Sequence, residues 1–354
     1  MSDFRIDKIT NRDGSAGTQI AGISTFSGTS GMQLPSGPTE YRGGRGRGVL
    51  ASGYTPSTND TIDYVEIATL GNATDFGNTI TSSIQQLAAV GSSTRGIFAG
   101  GSSPSRVTYF TFSSGGGVSD FGEQTLGRRG NGAGNDSTRG LFAGGSGNHS
   151  PLNSPYYNII DYATIATTGS FTDFGDLTRS ARQLAGCSSP TRGLFAGGYN
   201  TVPTDLQVSP GTTNNVIDYV TMQSKGDAKD YGDLTVSRSS FSGGGNATRG
   251  LFVSGGSYTS PAWTNYNIID YVTIASTGNA TDFGDTLQTG VHNTGTACSQ
   301  TRGIFAGGYS PTATNIISYA TISTTGNALD FGDLTVARSV GNDGGTSDVN
   351  GGLG

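Results

Sequence analysis

The chain has 354 residues, of which 33% are hydrophobic and 13% charged, too few apolar residues for a large helical core and too few charges for a self-repelling disordered chain. Glycine (59 residues) and proline (11) together make about a fifth of the chain, short of the ~25–30% that marks low-complexity disorder. A net charge of −6 argues against nucleic acid as the main partner, and no run approaches the ~18 apolar residues of a membrane span.

Residues 1–41 do not repeat. The opening MSDFRIDKITNRD has no apolar stretch of the kind a secretory signal carries, so synthesis in a reducing cytosol is expected. Strand-like pieces at Thr18–Ile23 and Met32–Leu34 stand among Gly and Ser, and the segment is too short and too weakly apolar to build a core. It reads as an extended arm, 1–41, that orders against a partner, followed by one folded body, 42–354. Up to Arg47 six basic residues (Arg5, Lys8, Arg12, Arg42, Arg45, Arg47) face four acidic ones (Asp3, Asp7, Asp13, Glu40), a balance of +2 that leaves −8 for the rest. A mildly basic stretch, 1–47, ahead of an acidic remainder suits docking to an acidic protein surface. The RGGRGRG run at 42–48 is a single copy beside that acidic body and carries no nucleic-acid reading.

From Arg47 onward an internal repeat dominates. RGVLASG at Arg47 returns as RGIFAGG at Arg95, RGLFAGG at Arg139 and Arg192, RGLFVSG at Arg249 and RGIFAGG at Arg302. Behind each comes a second element: IDYVEI from Ile62, VTYFTF from Val107, IDYATI from Ile160, IDYVTM from Ile217, IDYVTI from Ile269 and ISYATI from Ile317. A third, an Asp-Phe-Gly triplet, starts at Asp75, Asp120, Asp173, Asp230 (with Tyr231), Asp282 and Asp330. The fourth is rich in small residues: QLAAVGS, GNGAGND, QLAGCSS, FSGGGNA, GTACSQ and VGNDGGT. Six units of four short alternating elements, each bounded by turn residues, predict an all-β, six-bladed propeller with four-stranded blades. One blade cannot bury both apolar faces, whereas six stacked in a ring can. No 3.6-residue apolar period supports a helical solenoid.

The pattern resembles the kelch family over about 300 residues. The double glycines Gly100-Gly101, Gly144-Gly145, Gly197-Gly198, Gly255-Gly256 and Gly307-Gly308 match its motif, as do Tyr64, Tyr109, Tyr162, Tyr219, Tyr271 and Tyr319. The aromatic that is tryptophan in that family is Phe76, Phe121, Phe174, Tyr231, Phe283 or Phe331 here, and Ser52-Gly53 replaces the first double glycine. The resemblance implies a kelch-like ring closed by a C-terminal strand, Ser339 to Gly344, lying innermost in the first blade. TNRDGSAGTQIAG and FSGTSGMQLPSGP, ahead of glycine-rich repeats, resemble the starts of virion structural proteins of marine tailed phages of the cyanophage type. That implies a non-enzymatic virion component (tail, fibre or decoration) whose arm binds other virion proteins and whose propeller meets a host-surface glycan or protein. It implies a virion location and allows a homo-oligomer on the particle. A carbohydrate-active enzyme and an intracellular kelch adaptor are the alternatives.

The repeated Arg47, Arg95, Arg139, Arg192, Arg249 and Arg302 are expected to serve the repeat itself, each contacting a carboxylate of the IDY or DFG element. Thr108 and Ser318 replace the IDY aspartate in blades two and six, so that carboxylate is dispensable there. Cys187 and Cys298 lie in small-residue runs and read as buried free thiols. His149 and His292 share no repeat logic and read as loop residues; with no catalytic or metal motif, neither an enzyme site nor a cofactor is expected. Asn72, Asn246 and Asn279 match glycosylation sequons but read as turn asparagines. The informative variation is in the loops between second and third strands. They carry Tyr156, Tyr157, Tyr199, Tyr258, Trp263, Tyr266 and Tyr309, aromatics suited to stacking on sugar rings, packing on a protein, or covering the ring's own channel.

Overall fold

The Ile-Asp-Tyr-Val-Thr segment is extended in the units that carry it because β-branched and aromatic residues favour a pleated, half-buried surface. In Val216–Thr221 the isoleucine, aspartate and second valine are buried, while the last threonine is exposed. The computed structural model describes residues 46–349 except 55–57, 81–85, 102–104, 148–155, 201–211, 260–261, 310 and 342, together with 25–27 and 31–33. Its described residues hold no helix and form six four-stranded antiparallel sheets, the blades of a propeller. In blade 4 the strands run from axis to rim as Ala185–Ser188, Arg192–Ala196, Val216–Thr221 and Lys229–Asp233.

Six apolar clusters hold the ring, one at each seam between neighbouring blades. Between blades 4 and 5, Leu194, Ile217 and Tyr231 meet Phe252, Val272 and Ile274. The seam between blades 6 and 1 is built alike, Ile304, Ile317 and Phe331 meeting Leu50, Val65 and Ile67. At the rim the DFG glycine makes the close approach. A Cβ on Gly175 would sit 2.5 Å from the carbonyl oxygen of Gly226 in the next blade, and Gly175 has φ +150°. Only glycine meets both demands.

The ring closes through the C-terminus as expected, but further along the chain. The innermost strand of blade 1 is Gly345–Ser347, pairing Leu50 with Gly345 and Gly48 with Ser347. The expected 339–344 segment instead leads into it, with Ser339 and Tyr54 exchanging two backbone hydrogen bonds. Its register contains one residue more than its counterparts. Gln183, Ser240 and Asn293, all at positive φ, stand three residues before the partner of the central phenylalanine. Gly341, also at positive φ, stands four before Gly345. The surplus residue lets Asp343 turn into the axis.

Two further expectations change. The positive-φ pair that ends the second strand of blade 5 is Ser254-Gly255, so the motif sits one residue earlier than Gly255-Gly256. Within the arm, Thr25–Ser27 and Gly31–Gln33 pair as a hairpin; Thr18–Ile23 lies outside the described residues.

The repeated arginines contact rings and carbonyls, and carboxylates only at Arg47. Each guanidinium lies over the tyrosine of its own blade, at 4.2 Å for Arg47 on Tyr64 and 4.9 Å for Arg139 on Tyr162. Each also donates to a carbonyl of the next blade: Arg139 to Met222 at 2.6 Å, Arg249 to Ile322 at 2.7 Å, and Arg302 across the closing seam to Ile67 at 2.8 Å. Arg47 alone adds an ion pair, to Glu66 at 3.3 Å. The buried IDY aspartates are held by other arginines, from the linker that enters the blade: Arg338–Asp63, Arg128–Asp161, Arg179–Asp218 and Arg238–Asp270, at 2.8–3.0 Å. A linker threonine completes each cluster, as Thr235 does by donating its hydroxyl (2.6 Å) and N–H (3.1 Å) to Asp270. Burial pulls the guanidinium pKa values of Arg128, Arg238 and Arg338 down, and the facing carboxylate opposes that shift. Where the aspartate is Thr108 or Ser318, the incoming linker has no arginine either.

Candidate functional site: the loop face and the axis

Antiparallel blades give the propeller two unlike faces. One carries the turn from innermost to second strand and the turn from third to outermost. The other carries the loops from second to third strand and the linkers between blades. On the turn face, small polar side chains satisfy the backbone locally. Asp136 Oδ1 accepts the N–H groups of Thr138 and Arg139, and Asn246 Oδ1 those of Thr248 and Arg249. Asn72 and Asn279 accept the N–H groups of Asp333 and Asp233 across the seams, so these sequon asparagines are indeed turn residues.

On the loop face the structure gathers four of the seven expected aromatics into one arc. Tyr199 is buried and lies 6.1 Å from Trp263, whose indole meets the His292 ring at 5.5 Å; His292 in turn meets Tyr309 at 5.7 Å. Arg182 extends the arc toward blade 3, lying 5.5 Å from the Tyr199 ring and 4.9 Å from that of Tyr156. The local reasons are short ladders. Arg182 pairs with Tyr199, and Tyr258 pairs with Trp263 in the hairpin Gly256–Thr259 with Ala262–Asn265. Tyr266 and Ser257 join their hydroxyls at 2.8 Å, and Tyr157 donates its backbone N–H to Gly145. None of the seven is fully exposed. Tyr199 and Trp263 pack tilted on each other, and Trp263 and Tyr309 each meet the His292 ring edgewise.

His292 is a member of this arc, which corrects its reading as a plain loop residue; His149 lies outside the described residues. Its Nδ1 lies 3.1 Å from Asn265 Oδ1, which also takes the Trp263 indole N–H, and burial pulls its pKa down to about 4. The ring is neutral at physiological pH. Beside it a cleft of about 170 Å³ opens at the seam of blades 6 and 1, lined by Tyr54, Gln86, His292, Asn293, Tyr309, Ser339 and Gly341.

Sequence reading missed Tyr54, although a signal for it exists. Tyr54 follows the glycine of its unit as Tyr199 and Tyr309 follow theirs (ASGY, AGGY, AGGY).

The axis is stoppered by Asp343, itself buried. Its carboxylate accepts the backbone N–H groups of Ala133 (3.0 Å), Gly186 (2.8 Å) and Gly243 (2.9 Å), one from each innermost strand of blades 3, 4 and 5. Its own carbonyl accepts the N–H of Ala89 in blade 2 at 2.8 Å. Burial raises this carboxyl well above the usual carboxylate range, and the three N–H donors pull the other way. The remaining channel, about 60 Å³, includes Cys187 and Cys298 in its lining. Both are buried free thiols as expected, with burial raising their pKa values, that of Cys298 to about 12. Neither is poised as a nucleophile.

Fold and site together define a six-bladed β-propeller with an aromatic loop face. No protein-family model matches the chain, and no curated protein matches it either.

Proposed function

We propose that the chain is a non-enzymatic contact module, a kelch-like structural protein of a tailed-phage virion that is anchored by its N-terminal arm and meets a host-surface glycan or protein through its loop face. The observation that carries the contact reading is the aromatic arc from Tyr199 through Trp263 and His292 to Tyr309, which spans three blades on one face. Protein surfaces concentrate aromatics where they bind. The virion reading rests on the sequence of the arm, TNRDGSAGTQIAG and FSGTSGMQLPSGP ahead of the glycine-rich repeats.

The test uses purified particles. The full chain should appear in their mass spectrum in many copies, and a chain starting at Gly43 should fold with an unaltered melting curve yet stay out of them. Absence of the full chain from particles overturns the virion reading. Normal incorporation of the shortened chain makes the propeller, not the arm, the anchor.

A further inference from the structure

The cleft at the closing seam is chemically unlike its surroundings. Its lining residues carry no formal charge: two tyrosines, one imidazole, two carboxamides, one hydroxyl and one glycine. It sits where a backbone belt comes to an end. Around the loop face each positive-φ linker residue donates its N–H to the carbonyl of the one before: Gly130 to Gln86, Gln183 to Gly130, Ser240 to Gln183, Asn293 to Ser240 and Gly341 to Asn293, at 2.7–3.2 Å. At the sixth junction Gly341 stands beside Gln86, so close that a Cβ on Gly341 would fall 3.2 Å from the Gln86 nitrogen. At this junction Asn293 is held at φ +58° and Gln86 at φ +60°, conformations that side-chain-bearing residues seldom adopt. The Asn293 Oδ1 is buried with no hydrogen-bond partner among the described residues.

From this geometry we propose that the cleft between Tyr54 and Tyr309 is a binding subsite for one neutral sugar ring, with Gln86 and Ser339 offering polar contacts to its hydroxyls. The proposal deepens the contact reading above and rests on it. The chemistry excludes other ligand classes in turn. Among the described residues no cationic side chain lines the cleft to hold an anion, and no carboxylate lines it to hold a cation or metal. Four hydrogen-bonding side chains besides the tyrosines make it a poor home for a purely apolar group. What remains is a neutral ligand with an apolar face for tyrosine and hydroxyls for carboxamides, which is a pyranose. A volume of about 170 Å³ far exceeds the ~10–15 Å³ one water needs and suits a single ring better than an extended peptide segment.

The experiment is ligand-observed NMR on the full chain with glucose, galactose, mannose and N-acetylglucosamine. Glucuronic acid and a short tyrosine-containing peptide serve as competing probes. At least one neutral hexose should bind, evenly between pH 6 and 8, where burial keeps the His292 imidazole neutral. Tyr54→Ala should weaken binding by about tenfold or more. Tyr309→Ala, which removes the other tyrosine of the cleft, should do the same. Leu70→Ala, on the exposed turn face, should leave binding unchanged, and Tyr54→Phe should retain most of it. Failure of all four hexoses to bind, preference for the acid or the peptide, or binding that survives both cleft variants with wild-type melting curves would each overturn the proposal. Particle incorporation is scored separately. Incorporation without sugar binding sinks the cleft and spares the contact module, whereas sugar binding without incorporation spares the cleft and sinks the virion reading.

Discussion

The turn face and the loop face of this propeller are built from the same six repeats and have opposite characters. On the turn face every unit solves the same problem in the same way. A polar side chain closes the turn, an arginine lies on a tyrosine, and that arginine reaches the next blade's carbonyl. On the loop face the units diverge. The buried polar side-chain atoms without partners, among the described residues, all belong to loop-face connections, Asn131 Oδ1, Ser146 Oγ and Asn293 Oδ1 among them. Repetition therefore marks where the chain spends its residues on holding the ring, and departure from repetition marks where it can meet something else.

Three substitutions sharpen that contrast. The largest effect is expected beneath the loop face, in the clusters that tie each linker to its blade. Asp270→Ala leaves Arg238 fully buried with two guanidinium nitrogens already unpaired, and should cost about 3–5 kcal/mol in a denaturant melt. Replacing Arg238 by valine and Asp270 by serine together, the residues that stand there in blade 6 (Val291 and Ser318), should cost clearly less than the single change. A double loss equal to the sum of the two single losses would mean that the pair is not coupled. On the turn face, Arg249→Ala removes a ring contact at 4.4 Å and a hydrogen bond at 2.7 Å. It should cost about 1–2 kcal/mol while leaving any loop-face binding intact. A change in binding would break the division between the faces.

The smallest effect is a pH dependence from His292. Its folded pKa is about 4, below the ~6.5 of an unfolded histidine. The unfolded chain takes up the proton first, so His292 contributes stability above about pH 6.5 that is lost as pH falls toward 4. The slope is at most about 1.4 kcal/mol per pH unit, reduced by the ring's partial exposure at the cleft. A His292→Gln variant should lack this component when melting curves are compared across that range. An unchanged slope would place the titration elsewhere.

The fold was legible because its determinants are local and repeated. Six RG-strand, IDY-strand and DFG-strand sets are visible as strings, and the small-residue runs locate the innermost strands, where convergence on an axis leaves room only for small side chains. The Arg–carboxylate expectation failed for a physical reason. Guanidinium can pair with a carboxylate, a ring or a carbonyl, and residue type alone does not choose among them. A clue was present all the same, since a linker arginine and an IDY aspartate appear together in four units and are absent together in two. The aromatic loops were legible as a candidate site, but the cleft was not, because Tyr54 and Tyr309 stand at opposite ends of the repeat array and meet only when the ring closes.

The sequence by itself determined the number of blades and the four-strand order within each, because alternating apolar faces and turn residues act within one repeat, while closure by the C-terminal tail was implied by the resemblance to the kelch family. The tertiary structure decided what depends on the ring as a whole. One surplus residue in the last linker sends Asp343 into the axis to gather N–H groups from positions as far away as Ala133. The same closure brings His292 and Tyr309 of the last units beside Tyr54 of the first. Such contacts join unrepeated residues hundreds of positions apart, and no periodicity along the chain records which of them will meet.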